Sequence, residues 1–173
     1  MKVAIITGIT GQDGAYLTKL LLDNNYKVIG LVRGNSNKYK GLNYLGILDK
    51  VEIIECNLLD ISQFTRILNI YKPDEIYNLA AQSSVSISYK DPINTFQFNT
   101  ISVFNIIESI KNTNPNIKFY QASSSEMFGK VGKLPITETS LIHPVSPYAI
   151  SIVAAHYTCV NYRESYNLFI CCG

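Results

Sequence analysis

The stretch TGITGQDG (Thr7–Gly14) follows the apolar, β-branched run KVAIIT (Lys2–Thr7) and leads into Asp13–Asn25. In that segment Leu17, Leu20 and Leu21 recur at helical spacing, and Asp13 lies in the first turn, where the helix dipole favours an acid. A G-x-x-G-x-x-G turn between a buried strand and a helix is credible as a dinucleotide fingerprint because its context is right. Gly8 permits the tight turn. Gly11 lets backbone approach a pyrophosphate, and Gly14 lets helix and strand pack closely. The helix N-terminus then turns its free N–H groups toward the phosphates.

Outward from this turn, strand and helix signals alternate without internal repeats. Further strands are expected at Lys27–Val32, Val51–Cys56, Glu75–Ala80, Ile117–Ala122 and Leu168–Cys172. Helices are expected at Ser62–Tyr71, capped by Ser62 and stopped before Pro73, at Asn94–Lys111 and at Pro147–Ser165. Arg33–Leu48, rich in Gly, Asn and Ser, reads as a long loop. Strands joined through helices imply βαβ crossovers. The fold class is therefore α/β, a Rossmann-type doubly wound parallel sheet with helices on both faces. The last two helices carry more than one apolar stripe, with Phe96, Phe98, Ile101 and Phe104 in one and Ile150, Ile152, Val153 and Tyr157 in the other. Such helices want cover from another subunit or from a further part of the chain. The expectation is a homo-oligomer, dimer or tetramer, formed through them.

Composition narrows the function classes. At 173 residues, 47% hydrophobic and 16% charged, the chain has the make-up of one globular domain. A net charge of +2 gives no electrostatic case for nucleic acid or an anionic membrane surface. No apolar run reaches the ~18 residues of a membrane span, and Met1–Thr7 lacks the features of a secretory signal. Cys56, Cys159, Cys171 and Cys172 form no C-x-x-C pair and no metal-ligand spacing. They read as reduced core or near-core thiols of a cytoplasmic protein, with no metal site. His143 and His156 read as loop and helix-packing residues rather than ligands.

The strand ends carry the candidate chemistry. An NAD site places an acid about 20 residues beyond the glycine turn to hold the ribose 2′-OH. Here LVRGNS (Leu31–Ser36) has none. Arg33 can pair with a 2′-phosphate and Asn35 and Ser36 can add hydrogen bonds, which favours NADP. Asn57, before Leu58, offers an amide to an adenine ring. The small residues Ala80 and Ala81 in NLAAQSS (Asn78–Ser84) let a cofactor pass close, or simply fill core. ASSSEMFG (Ala122–Gly129) places hydroxyls and Glu126 at a strand end, where ligands sit in such sheets and where a carboxylate can act as general acid or base. Tyr148 follows near the start of a helix.

These residues resemble the GDP-mannose 4,6-dehydratase branch of the extended short-chain dehydrogenase/reductase superfamily. The resembling stretches are Thr7–Leu17, Leu31–Ser36, Pro73–Val85, Lys118–Val131, Ser146–Ser151 and Val160–Tyr166. The resemblance implies NADP-dependent conversion of GDP-mannose, a nucleotide sugar, to GDP-4-keto-6-deoxy-mannose. It implies cofactor contacts from Gly8, Ile9, Thr10, Gly11, Gln12, Asp13 and Gly14, from Arg33, Asn35 and Ser36, from Asn57 and Leu58, from Leu79, Ala80, Ala81, Gln82 and Ser83, and from Tyr148. It matches Ser124 to the residue that hydrogen-bonds the C4 hydroxyl. Glu126 matches the glutamate that removes the C5 proton, and Tyr148 the tyrosine that takes the C4 hydroxyl proton. Three departures stand out. The pattern is Tyr-x-x-x-Lys, and Ile152 occupies the lysine position, so the resemblance implies an activity impaired or lost in this chain. Asn57 replaces the usual Asp, and Asn94 stands where a tyrosine contacts the cofactor. Members of the family run roughly as long again, so residues 1–173 are expected to be an NADP-binding domain cut after its sixth strand, with a C-terminal substrate domain absent. The alternatives are another sugar-nucleotide dehydratase or epimerase, or a non-catalytic NADP-binding fragment.

Overall fold

The computed structural model describes residues 1–34, 39–132 and 134–173. Six strands form one all-parallel sheet: β1 (Val3–Thr7), β2 (Lys27–Val32), β3 (Glu52–Glu55), β4 (Glu75–Asn78), β5 (Lys118–Gln121) and β6 (Ile170–Cys172). Their order is β3-β2-β1-β4-β5-β6, the doubly wound arrangement expected from the sequence. Strand β1 shows why both faces must be covered. Ile5 turns to one core with Phe64, Ile106, Phe119 and Cys159, while Ala4 and Ile6 turn to the other with Ala15, Leu21 and Leu42. Successive residues of a strand point to opposite faces, so an uninterrupted apolar strand needs helices on each side.

Those helices are α1 (Gln12–Asp23) and the short α2 (Lys40–Tyr44) on one face, and α3 (Ile61–Tyr71), α6 (Ser102–Thr113) and α7 (Pro147–Tyr166) on the other. Helix α2 corrects the loop expected over Arg33–Leu48. Its Leu42 is completely buried, and Gly41 lies against Ala15 of α1, so tertiary packing makes a helix of a weakly helical sequence. Helix α3 is capped by Asp60, whose carboxylate accepts from the Ser62 and Gln63 N–H groups, rather than by Ser62.

The single helix expected at Asn94–Lys111 is three segments: α5 (Pro92–Phe96), a wide π turn over Gln97–Ile101, and α6. Helix α4 (Val85–Lys90), not foreseen, precedes them. The inner sides of α6 and α7 bury Val103, Ile106, Ile107, Ile152 and Ala155. Ile93, Phe96, Ile101, Ile150 and Tyr157 stay exposed on these segments. Among the described residues no helix is long and apolar enough to cross a membrane.

The carboxyl ends of the strands are held in line by a row of polar side chains. In register, Thr7 pairs with Asn78, Asn78 with Gln121, and Gln121 with Cys172. The Thr7 hydroxyl donates to Asn78 Oδ1, Asn78 Nδ2 donates to Gln121 Oε1 at 2.7 Å, and Gln121 Nε2 donates to the Ala122 carbonyl at 2.7 Å. Each of these buried amides is satisfied by the next, which fixes the floor on which the candidate site stands.

Candidate functional site

A cleft of about 450 Å³ opens where the strand order reverses between β1 and β4. Ligands of open α/β sheets sit at that crevice. Its walls come from four strand ends: Thr7, Gly8, Thr10 and Gly11 after β1; Leu31, Val32 and Arg33 from β2; Cys56 and Leu58 after β3; and Leu79–Ser83 after β4.

The glycine turn does what its spacing requires. Gly8 sits at φ +70°, and a side chain there would meet the Leu79 and Ala80 backbone at 2.8 Å. Gly14 is buried, and a Cβ on it would come within 2.5 Å of the Gly8 carbonyl oxygen. Gly11 begins α1 without a side-chain cap, so the first-turn N–H groups have no side-chain partner. A glycine cradle, an uncapped helix start and a cleft of this size suit a dinucleotide.

The other cofactor candidates divide. Thr10, Leu58, Leu79, Ala80, Ala81, Gln82 and Ser83 line the cleft. Ile9 does not; its side chain is fully buried in the core beneath α1. Gln12 lines a neighbouring hollow with Tyr16, Lys40 and Tyr44, and Asp13 is exposed on α1. Asn57 lies between two cleft residues without lining the cleft, and its amide oxygen accepts from the Leu59 N–H at 3.1 Å. Asn35 and Ser36 lie outside the described residues. Arg33 is exposed at the cleft wall, its guanidinium 5.6 Å from the centre of the Phe98 ring.

Ser124, Glu126 and Tyr148 do not line the cleft. The Ser124 hydroxyl accepts from the Glu126 N–H at 3.2 Å and caps a single 3₁₀ turn, Ser125–Phe128. Glu126 is exposed, while Met127 after it packs against Tyr148 and Ile152 at the start of α7. Ile152, one helical turn beyond Tyr148, is 3% exposed and fills that contact with methyl groups.

Two functional positions escaped the sequence reading. Phe98 lines the cleft from the π turn. Asn99, beside it, accepts from the Gln82 N–H at 2.8 Å and donates to the Gln82 carbonyl and to Ser151 Oγ. Ser151 in turn donates to the Tyr148 carbonyl at 2.6 Å. This chain joins the cleft loop to the turn that carries Tyr148. The sequence carries no distinct signal for Phe98 or Asn99, because polar residues such as Thr95, Gln97, Ser102 and Asn105 alternate with apolar ones along the whole expected helix, although π turns are frequent at functional sites.

Next to Ser124, the Ser123 hydroxyl lies 3.1 Å from His156 Nδ1. Burial lowers the His156 pKa, and Arg163 lowers it further. The folded pKa is thus below the unfolded value of about 6.5, so below that pH the unfolded chain binds a proton that the folded chain resists. Stability is expected to fall as pH drops from about 7.5 to about 5.5. His156→Gln is expected to flatten that part of the urea-midpoint profile, and an unchanged profile contradicts the role of His156.

Comparison with known proteins follows the same outline. The family profile described as GDP-mannose 4,6 dehydratase matches residues 5–173. GDP-mannose 4,6 dehydratase 1 of Arabidopsis thaliana is 44% identical over 99% of this chain, and the Homo sapiens GDP-mannose 4,6 dehydratase is 40% identical over 97%. The chain spans about half the length of these relatives, 50% and 48%. Among solved structures, the UDP-glucose 4-epimerase of Thermotoga maritima with UDP-glucose superposes with a TM-score of 0.89 at 27% identity, over 98% of this chain and 54% of that one. The dTDP-glucose 4,6-dehydratase of Streptomyces venezuelae, with NAD bound, shares the fold at a TM-score of 0.87 and 21% identity, over 98% of this chain and 54% of that one.

Proposed function

The chain belongs to the GDP-mannose 4,6-dehydratase family, and on that premise we propose that it is the dinucleotide-holding part of an enzyme that converts GDP-mannose to GDP-4-keto-6-deoxy-mannose. The observation that carries this reading is the cleft at the β1–β4 reversal, with a glycine cradle on one wall and, on another, the Leu79–Ser83 loop tied through Asn99 and Ser151 to the Tyr148 carbonyl.

The first turn of α1 and the Gly8–Gly11 backbone hold the pyrophosphate of NADP. Arg33 pairs with its 2′-phosphate, and Phe98 supports the guanidinium from below. When bound, this group supplies a hydride acceptor and donor. The protein residues position the sugar and move its protons. Ser124 hydrogen-bonds the C4 hydroxyl, and Tyr148 takes the proton released from that oxygen. Glu126 removes the C5 proton as water leaves C6. An exposed carboxylate at a strand end has the freedom to reach a bound sugar and is suited to general acid–base work. The exposed Ile93, Phe96, Ile101 and Ile150 fit a homo-oligomeric contact, which we propose on the strength of their continuity across α5, the π turn and α7.

Substrate assignment is tested by a keto-sugar product assay on GDP-mannose, dTDP-glucose and UDP-glucose, with this chain joined to the second half of the Arabidopsis thaliana relative. Turnover confined to GDP-mannose supports the reading, and preference for another nucleotide sugar overturns it. Cofactor choice is tested at Arg33. Removing a charge-assisted hydrogen bond costs about 1.5–3 kcal/mol, or roughly 10–100-fold in affinity. Arg33→Ala is expected to weaken NADP binding by that factor and leave NAD binding unchanged, as read by calorimetry. An equal loss for both contradicts the 2′-phosphate assignment.

A further inference from the structure

Two cysteines meet away from the cleft and take no part in the chemistry above. Cys159 comes from α7 and is completely buried; Cys172 comes from β6, is partly exposed and packs against the same core cluster. Both side chains belong to the packing between α7 and the sheet. A third group completes the cluster. Arg163, one turn beyond Cys159 on α7, donates from Nη1 to the Ile170 carbonyl at 3.3 Å, two residues before Cys172 on the same strand. The guanidinium therefore clamps α7 to β6, and because one helical turn back along α7 and two residues on along β6 each rise about 6 Å, Cys159 and Cys172 lie level across this packing.

The environments of the two thiols differ. The neighbouring Cys159 thiol, helped by Arg163, holds the Cys172 thiol below its usual range against the opposing effect of burial. The neighbouring Cys172, together with burial, pushes Cys159 up. Partial exposure next to a guanidinium is the setting of a reactive thiol, and a buried neutral thiol in contact is the setting of its resolving partner. The remaining cysteines lack this arrangement. Cys56 is buried and pushed up to about 11, chiefly by burial. Cys171 is exposed, and as the neighbour of Cys172 in a strand it points to the opposite face.

We propose that Cys172 and Cys159 form an oxidisable pair that hydrogen peroxide converts to a reversible disulfide between β6 and α7. In the first step the Cys172 sulfur attacks one peroxide oxygen. The S–O bond forms, the O–O bond breaks, and the departing hydroxide takes up a proton to become water, leaving a sulfenic acid. In the second step the Cys159 sulfur attacks the Cys172 sulfur. The S–S bond forms, the S–O bond breaks, and the hydroxyl leaves as water with the Cys159 proton. Two thiols and one peroxide thus give one disulfide and two waters, and a dithiol reductant returns both thiols.

The test uses the chain with its natural residues, reduced and then exposed to a small excess of hydrogen peroxide. Trypsin cuts at Arg163, which separates the two cysteines onto different peptides. The expected result is an intact mass lower by two hydrogens and a disulfide-linked peptide pair joining Cys159 to Cys172. Dithiothreitol is expected to reverse both. Cys159→Ala is expected to stop at the sulfenic acid, trapped by dimedone on Cys172, while Cys172→Ala shows neither linkage nor dimedone label at these positions. Differential alkylation of the natural chain needs no variant to fold and reads the same pair. Oxidation that falls on Cys171 or Cys56 while Cys159 and Cys172 stay reduced overturns the proposal, as does dimedone on Cys159 in place of Cys172.

Discussion

Gly8→Ala is expected to abolish dinucleotide binding and to lower the melting temperature by about 4–20 °C. Gly8 sits at φ +70°, where an L side chain costs about 1–2 kcal/mol. The added Cβ would also lie 2.8 Å from the Leu79 carbonyl carbon and the Ala80 nitrogen. These are backbone atoms of the β4 exit, so no side chain can swing aside. Overpacking of this kind costs roughly 1–3 kcal/mol, and each kcal/mol lowers the melting temperature by about 2–4 °C in a chain of this size. Relief comes only by pushing the β4 exit away from β1. That displaces Leu79–Ser83, one complete wall of the cleft. Gly46 provides the control, since it too has a positive φ, +63°, but nothing within 4 Å of a built Cβ. Gly46→Ala is expected to show the conformational cost alone, about 1–2 kcal/mol, with binding retained. Retained binding in Gly8→Ala, by calorimetry, removes the cradle from the account.

Ile152→Lys is the second large effect, and its sign is a gain. Position 152 lies one turn beyond Tyr148, on the face that packs against Met127. A lysine ammonium placed there brings a positive charge toward the phenol. An opposite charge within ~4–6 Å favours the ionised form by about 1–3 pK units. Each unit is worth roughly 1.4 kcal/mol, or tenfold. With the chain joined to the second half of the Arabidopsis thaliana relative, turnover of GDP-mannose near neutral pH is expected to rise at least about tenfold. The cost is stability, because Ile152 is 3% exposed and lysine loses packing there. Ile152→Met keeps the packing without the charge and is expected to leave turnover unchanged. A rise in the methionine variant, or none in the lysine variant, places the control of rate elsewhere.

The sequence was most legible where composition and period agree. VAIIT is buried on both faces and the G-x-x-G-x-x-G turn follows it directly, so β1, α1 and the parallel sheet were readable to within a residue or two. Helix α4 was not readable, because VSISYK mixes β-branched residues with serines, which hydrogen-bond locally and disfavour helix. The broken helix over Pro92–Thr113 was hidden because its apolar residues run through the π turn without a gap. A strand-end amide such as Asn57 serves an adenine ring or an Asx-type turn, and its bond from the Leu59 N–H is not legible in the sequence. Ser124, Glu126 and Tyr148, proposed here as catalytic, are readable as residue types at strand and helix ends. The connection of Tyr148 to the cleft through Gln82, Asn99 and Ser151 is not, since partners tens of residues apart leave no local pattern.

The most direct test of the central claim is titration of the natural chain with NADP, followed by thermal stability and by calorimetry. A ligand that binds only the folded state raises stability by about 2.7 kcal/mol at a hundredfold excess over Kd. The account predicts a saturable rise in melting temperature with one NADP per chain, lost in Gly8→Ala. No shift and no heat across the whole NADP titration would contradict it.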